Sequence, residues 1–199
     1  MLRRIDWDYV IWAILALPAL AVAYRIWGPF EAVSYRQLSF RTAEASAYLF
    51  IISLMATPLQ LLMRGRFGTR WLVKKRRYIG VAALGYGLLH TLFYFLHSGG
   101  LWPGLAKTLQ IDVWTGWLVL LLLLPPGWTS RDSSVRNLGR KWKQVQFLVY
   151  PAAVLTFIHW GVQFGGQVIQ EAVMYFTPLA ILTIWRIKRA RRMKNSAAA

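Results

Sequence analysis

His90 in "YGLLHTLFYFLH" and His159 in "LTFIHW" are two of the chain's three histidines, and both stand in stretches that are otherwise almost wholly apolar. An imidazole in hydrocarbon is expensive unless it pairs, ligates or lines a cavity, so each of these needs a partner. Two neutral imidazoles at one depth on two helices suit the iron of a b-type haem, one ring nitrogen going to the metal while the other donates to a carbonyl or water. The same residues also suit hydrogen bonds between helices, which are common in membranes. His97, about 10 Å beyond His90 on the same face, belongs at the interface, either solvated or in contact with haem propionates or an outer partner. The chain has no cysteine. Disulfides, thiolate ligands, iron–sulfur clusters and thiol nucleophiles are therefore excluded, and any metal held by side chains has nitrogen or oxygen ligands.

The elements that must position these groups are membrane spans. Of the 199 residues 57% are hydrophobic, and they are gathered into long runs instead of amphipathic spacing, which predicts an all-α integral membrane protein. Six stretches are long enough to cross about 30 Å of hydrocarbon: residues 7–27, 43–63, 78–97, 111–128, 145–164 and 168–187. The expectation is a single six-helix domain over residues 1–199. The first stretch reads as a retained helix, since no short apolar region with a small-residue cleavage site follows an early basic segment. Pro18, Pro58, Pro151 and Pro178 interrupt spans, as bilayer helices tolerate when neighbours satisfy the freed carbonyl. Trp7, Trp27, Trp102, Trp114, Trp128, Trp142, Trp160 and Trp185 fall near span ends, where an aromatic belt would sit.

A formal charge of +17 would suggest nucleic acid in a soluble domain, but here the charges lie in alternate loops. With six spans, both termini share one side with the second-to-third and fourth-to-fifth loops. All but four of the 24 lysines and arginines lie there, the exceptions being Arg25, Arg36, Arg41 and Lys107. The positive-inside rule then puts both termini in the cytoplasm. Clusters such as "LVKKRRY" and "WRIKRARRMK" fit anionic lipid headgroups, and no nucleic-acid partner is expected. The segments between spans hold no glycine-rich phosphate loop, so no nicotinamide site is expected. Neither an inverted repeat nor the mid-membrane charges of a proton-coupled carrier are evident.

Depth supports the pairing of the histidines. His90 lies roughly 20 Å along its span from Arg77, and His159 roughly 24 Å along its own from Lys143, so the two are level in the outer half of the membrane. Gly80, Ala83 and Gly87 share the face of His90, and would let either a flat macrocycle or a neighbouring helix approach closely.

Three segments carry a resemblance to a known family: "FRTAEASAYLFIISLMATPL", "KKRRYIGVAALGYGLLHTLFYFLH" and "SVRNLGRKWKQVQFLVYPAAVLTFIHW", which with the six-span plan cover residues from about 40 to 165. The sequence resembles the MsrQ (YedZ) family, within the ferric-reductase-like transmembrane group. The resemblance implies a haem b subunit in the inner membrane of a Gram-negative bacterium, with His90 and His159 as ligands. It would take reducing equivalents from quinol or a cytoplasmic flavin reductase. It would pass them to a periplasmic molybdopterin-dependent enzyme (MsrP-type) that reduces methionine sulfoxide in oxidised proteins. FMN is implied as a second cofactor, and the chain is expected to be an electron-transfer subunit with no catalytic residues of its own. A stand-alone transmembrane ferric reductase or oxidase core is the nearest alternative, and a non-redox membrane scaffold the more distant one.

One departure from the wider group stands out. Relatives there place a second histidine thirteen or fourteen residues before each ligand, but counting back from His90 reaches Arg77 and Arg76, and from His159 reaches Gln146. Either a second haem binds weakly through Gln146 or an arginine, or it is absent and a flavin or quinol reaches the outer haem another way. Gln146 also suits a buried amide bonded to a neighbouring helix. Arg76 and Arg77 suit topology signals, or a guanidinium fork on a haem propionate or flavin phosphate.

Overall fold

The computed structural model describes residues 7–28 and 33–196. Arg3 and Arg4, counted above on the cytoplasmic side, lie outside the described residues, as does the side chain of Trp7. Among the described residues the regular structure is helical: α1 (Trp7–Trp27), α2 (Tyr35–Leu62), α3 (Thr69–His97), α4 (Leu101–Ala106), α5 (Ile111–Trp128), α6 (Asp132–Leu138), α7 (Arg140–Gln146), α8 (Val149–Gly161) and α9 (Ile169–Ser196), with a 3₁₀ turn at Gln163–Gly166 between the last two. Four of them, α1, α2, α3 and α5, are long and apolar enough to cross a membrane.

Two helices begin well before their expected spans. The Ser34 hydroxyl caps α2 by accepting from Gln37 N–H at 3.3 Å, which starts that helix in the segment read as a loop. The basic run 72–78 is the first part of α3, so only a tight turn joins the two helices. In that turn Gly65 and Gly68 take left-handed φ of 75° and 72°, a conformation glycine adopts without steric cost.

The fifth expected span is divided. Pro151 has no N–H, and its ring crowds the carbonyl four residues back, at Phe147. That carbonyl instead accepts Tyr150 N–H at 3.1 Å, a tighter turn that separates α7 from α8. The sixth expected span continues as helix through the basic tail to Ser196.

Apolar area gains little by moving from lipid to protein, so contact between membrane helices comes from close packing of small residues and from hydrogen bonds. The α2–α3 hairpin uses both. Ala83 is buried against Phe50 and Ala152, and the Ser46 hydroxyl donates to the Ala83 carbonyl at 2.8 Å. A second cluster, Ile51 with Phe176 and Leu179, ties α2 to α9. Helix α1 leaves most of its surface uncovered and is fastened to α3 at two points. Asp8 pairs with Lys75 and accepts from the Tyr78 hydroxyl. One turn from Pro18, the Tyr86 hydroxyl donates to Leu15 O at 2.7 Å and accepts from Ala19 N–H at 3.0 Å. That hydroxyl thus contacts two backbone groups of α1 that stand one helical turn apart.

Candidate functional site

His90, on α3, and His159, on α8, face each other with ring centroids 6.3 Å apart and planes at 73°. Both line a cavity of about 390 Å³ bordered mainly by α2, α3, α5 and α8 and open at one rim. His90 Nδ1 lies 2.9 Å from the Ser39 carbonyl and 3.0 Å from the Ser39 hydroxyl. A carbonyl only accepts, so Nδ1 carries the proton. His159 Nδ1 lies 3.2 Å from Thr115 Oγ1, and that hydroxyl already donates to Ile111 O at 2.6 Å. Its single proton is spent, so it accepts from His159 Nδ1–H. Both rings are thereby fixed in the tautomer whose Nε2 lone pair is open.

This separation leaves room for an iron that His90 and His159 would hold. Two metal–nitrogen bonds of about 2 Å each, plus the two half-rings, span roughly the observed separation of the imidazoles. The donation of the other ring nitrogen to a hydroxyl or carbonyl orients such a ligand and raises its basicity. A further polar atom awaits an acceptor in the same wall: Trp117 lines the cavity, and its indole N–H is buried without a hydrogen-bond partner among the described residues. No cluster of three or more metal-ligating residues occurs among the described residues, and a haem needs only two.

His97 lines the same cavity near its exposed rim, with Arg36 and Lys107. Gly87 lines it too, and a Cβ there would meet Ser46 Oγ at 3.4 Å and Leu120 Cδ2 at 3.6 Å. The small-residue face of α3 thus splits its duties: Ala83 packs helices, Gly87 borders the histidine cavity, and Gly80 borders a second one. Trp160, one residue from the end of α8, stacks on Tyr175 with centroids 5.5 Å apart beside the cavity. It packs there because α8 ends just beyond it, turning Trp160 in against α9.

The second cavity, about 270 Å³, brings together Arg76, Arg77 and Gln146. Phe50, Leu84 and Leu123 line both cavities and form the partition between them. Gln146 donates to Pro126 O at 3.1 Å. Arg76 donates to Thr57 Oγ1 at 2.7 Å, and Arg77 pairs with Asp132 at 2.7 Å.

Sequence reasoning missed Ser39, Thr115 and Gly116. Ser39 lay outside the expected second span, and a hydroxyl or glycine in an apolar run gives no sign of which histidine it will meet. Gly116 is the sharpest case, because a Cβ there would lie 2.9 Å from His159 Cε1.

Residues 42–157 match the family model described as "Ferric reductase like transmembrane component", a stretch that contains His90 and ends just short of His159. Among curated relatives, the protein-methionine-sulfoxide reductase heme-binding subunit MsrQ of Azospira oryzae is 30% identical over 93% of this chain and 80% of its own length. That of Rhodospirillum rubrum is 33% identical over 80% of this chain and 76% of its own length. The chain belongs to the MsrQ family. The MsrQ of Ralstonia nicotianae is similar at 29% identity over 92% of this chain and 86% of its own length. No solved structure matches the chain significantly.

Proposed function

We propose that this member of the MsrQ family is the haem b-binding electron-transfer subunit of a protein-methionine-sulfoxide reductase system. The observation that carries the reading is the pair of opposed imidazoles, His90 and His159, each held through Nδ1 so that Nε2 is free. These two residues would hold the haem, which when bound supplies a one-electron carrier. Ser39 and Thr115 keep the rings in place, while Phe50, Leu84 and Leu123 screen the site from the basic end of the bundle. His97, Arg36 and Lys107 at the rim offer donors to propionates or to a docking partner.

The membrane arrangement in this reading is six crossings, with both termini on the cytoplasmic side of a bacterial inner membrane. Helices α1, α2, α3 and α5 supply four crossings. Helix α8 alone spans about 20 Å and needs α7 to approach the hydrocarbon thickness, and α9 makes the sixth. Electrons enter at the basic end, from quinol or a cytoplasmic flavin reductase, and leave at the His97 rim towards a periplasmic molybdopterin-dependent partner of the MsrP type. The support is charge asymmetry and resemblance. For FMN the support beyond resemblance is limited to the guanidinium groups of Arg76 and Arg77, both already hydrogen-bonded within the protein.

Reduced-minus-oxidised absorption spectra of the purified chain test the reading. Soret and alpha bands of a six-coordinate b-type haem, at one per chain, are the expected result. A colourless, folded preparation that takes up no added haemin would overturn it.

A further inference from the structure

We propose that the second cavity, at the basic end of the bundle, holds the headgroup of one anionic phospholipid whose acyl chain lies along α8. Arg76, Arg77, Lys143 and Arg186 all line this cavity, and no carboxylate is among its lining residues. Asp132, the neighbouring acid, is taken by Arg77. Arg76 and Arg186 bond only neutral oxygens in the described contacts, Thr57 Oγ1 at 2.7 Å and Tyr150 OH at 2.8 Å. Lys143 has no ion-pair partner among the described residues. Three cations around one cavity without a matching anion favour a ligand that brings its own negative charge.

The rest of the site identifies what kind of anion. Its floor is apolar, formed by Phe50, Leu54 and Leu123. From Phe147 at the rim, which is 63% exposed, Tyr150, Val154 and Ile158 run up one face of α8, exposed by 36%, 60% and 37%. From Tyr150 to Ile158 the helical part of that stripe is about 12 Å long, and Phe147 extends it at the rim, enough to take much of an acyl chain. A soluble phosphate has no use for such a track, whereas a headgroup in a basic pocket between membrane helices continues directly into it. Flavin phosphate shares the headgroup chemistry without the chain, so the experiment must separate the two. The proposal stands or falls independently of haem at the histidine cavity.

The test places the full chain in phosphatidylcholine nanodiscs with and without phosphatidylglycerol, and measures retained lipid by native mass spectrometry together with the thermal midpoint. One phosphatidylglycerol retained per chain and a raised midpoint are expected for the wild type. The double variant Lys143→Gln/Arg186→Gln should bind it about thirty-fold more weakly, since two cations near a headgroup are removed. Lys188→Gln/Arg191→Gln, on the exposed tail of α9, should bind it as the wild type does. Millimolar inorganic phosphate or FMN should not displace the lipid. Failure of the wild type to retain phosphatidylglycerol would overturn the proposal even if the variant misfolds. Equal loss in both double variants, or displacement by phosphate or FMN, would overturn it too, the latter assigning the cavity to a soluble phosphate ligand.

Discussion

Gly116 on α5 lies so close to the His159 imidazole that a Cβ at position 116 would stand 2.9 Å from Cε1 and 3.3 Å from Nδ1. Helix α5 is therefore a template for the ring: Gly116 makes the room, and the neighbouring Thr115 hydroxyl accepts a hydrogen bond from Nδ1–H. His90 is anchored differently, by the backbone and side chain of Ser39 on α2. The two imidazoles thus owe their orientation to helices other than their own.

Gly116→Ala should push the His159 ring off Thr115, because the nearest atoms belong to the imidazole itself. Haem per chain should fall several-fold, with part of the remainder high-spin by absorption and electron paramagnetic resonance. Gly87→Ala, whose Cβ would meet Ser46 Oγ at 3.4 Å, should leave most of the haem in place. Equal haem content in the two variants would show that Gly116 serves helix packing alone.

Thr115→Val preserves shape but removes the acceptor for His159 Nδ1–H, and should weaken haem affinity by about tenfold, as loss of an outer-shell partner does elsewhere. His159→Ala should abolish low-spin haem altogether, since the proposed ligand goes and the chain has no cysteine to replace it. Titration of apoprotein with haemin measures both. An affinity unchanged by Thr115→Val would mean that packing by α5 orients the ring unaided.

Tyr86→Phe should loosen α1 while leaving the histidine cavity intact. It removes the hydroxyl that bridges Leu15 O and Ala19 N–H, two interactions worth about 1–2 kcal/mol together in a membrane. Faster amide exchange at residues 14–20, with a haem spectrum like the wild type, is the expected outcome. Wild-type exchange there would indicate that α1 closes its own ladder without the tyrosine.

Four of the expected spans and the meeting of two histidines were legible because both rest on polarity against an apolar background. Residues 7–27 and 111–128 emerge as α1 and α5 with the expected limits, since hydrophobic length alone fixes them. The starts of α2 and α3 were not legible, because helices continue past the hydrocarbon wherever a cap such as Ser34 permits, and hydropathy says nothing about that. The division of α7 from α8 was signalled only as a tolerated proline; that Pro151 would open the ladder at Phe147 depends on local packing. The partners of the imidazoles were hidden for a different reason. Ser39, Thr115 and Gly116 become meaningful only once the helices are rotated against each other, and periodicity in a uniformly apolar helix does not set that rotation.

The direction of electron flow proposed here has a consequence for salt dependence. At the His97 rim the cavity is lined by Arg36 and Lys107 but also by Glu44, Asp112 and Glu171, so positive and negative charges nearly balance. At the opposite end, the two acids among the described residues, Asp8 and Asp132, are already paired with Lys75 and Arg77. The tail of α9 adds Lys188, Arg189, Arg191, Arg192 and Lys194 without an acid among them. Long-range attraction needs clustered charge of one sign and fades beyond a Debye length of about 10 Å at 0.1 M salt. Re-oxidation of the reduced chain by the proposed periplasmic partner, measured in oriented proteoliposomes, should therefore change little between low and high ionic strength. Reduction from the basic end by an acidic soluble donor should slow several-fold over the same range. A steep salt effect at the His97 rim, or equally fast re-oxidation from the basic end, would place the exit elsewhere and reverse the assignment of the two faces.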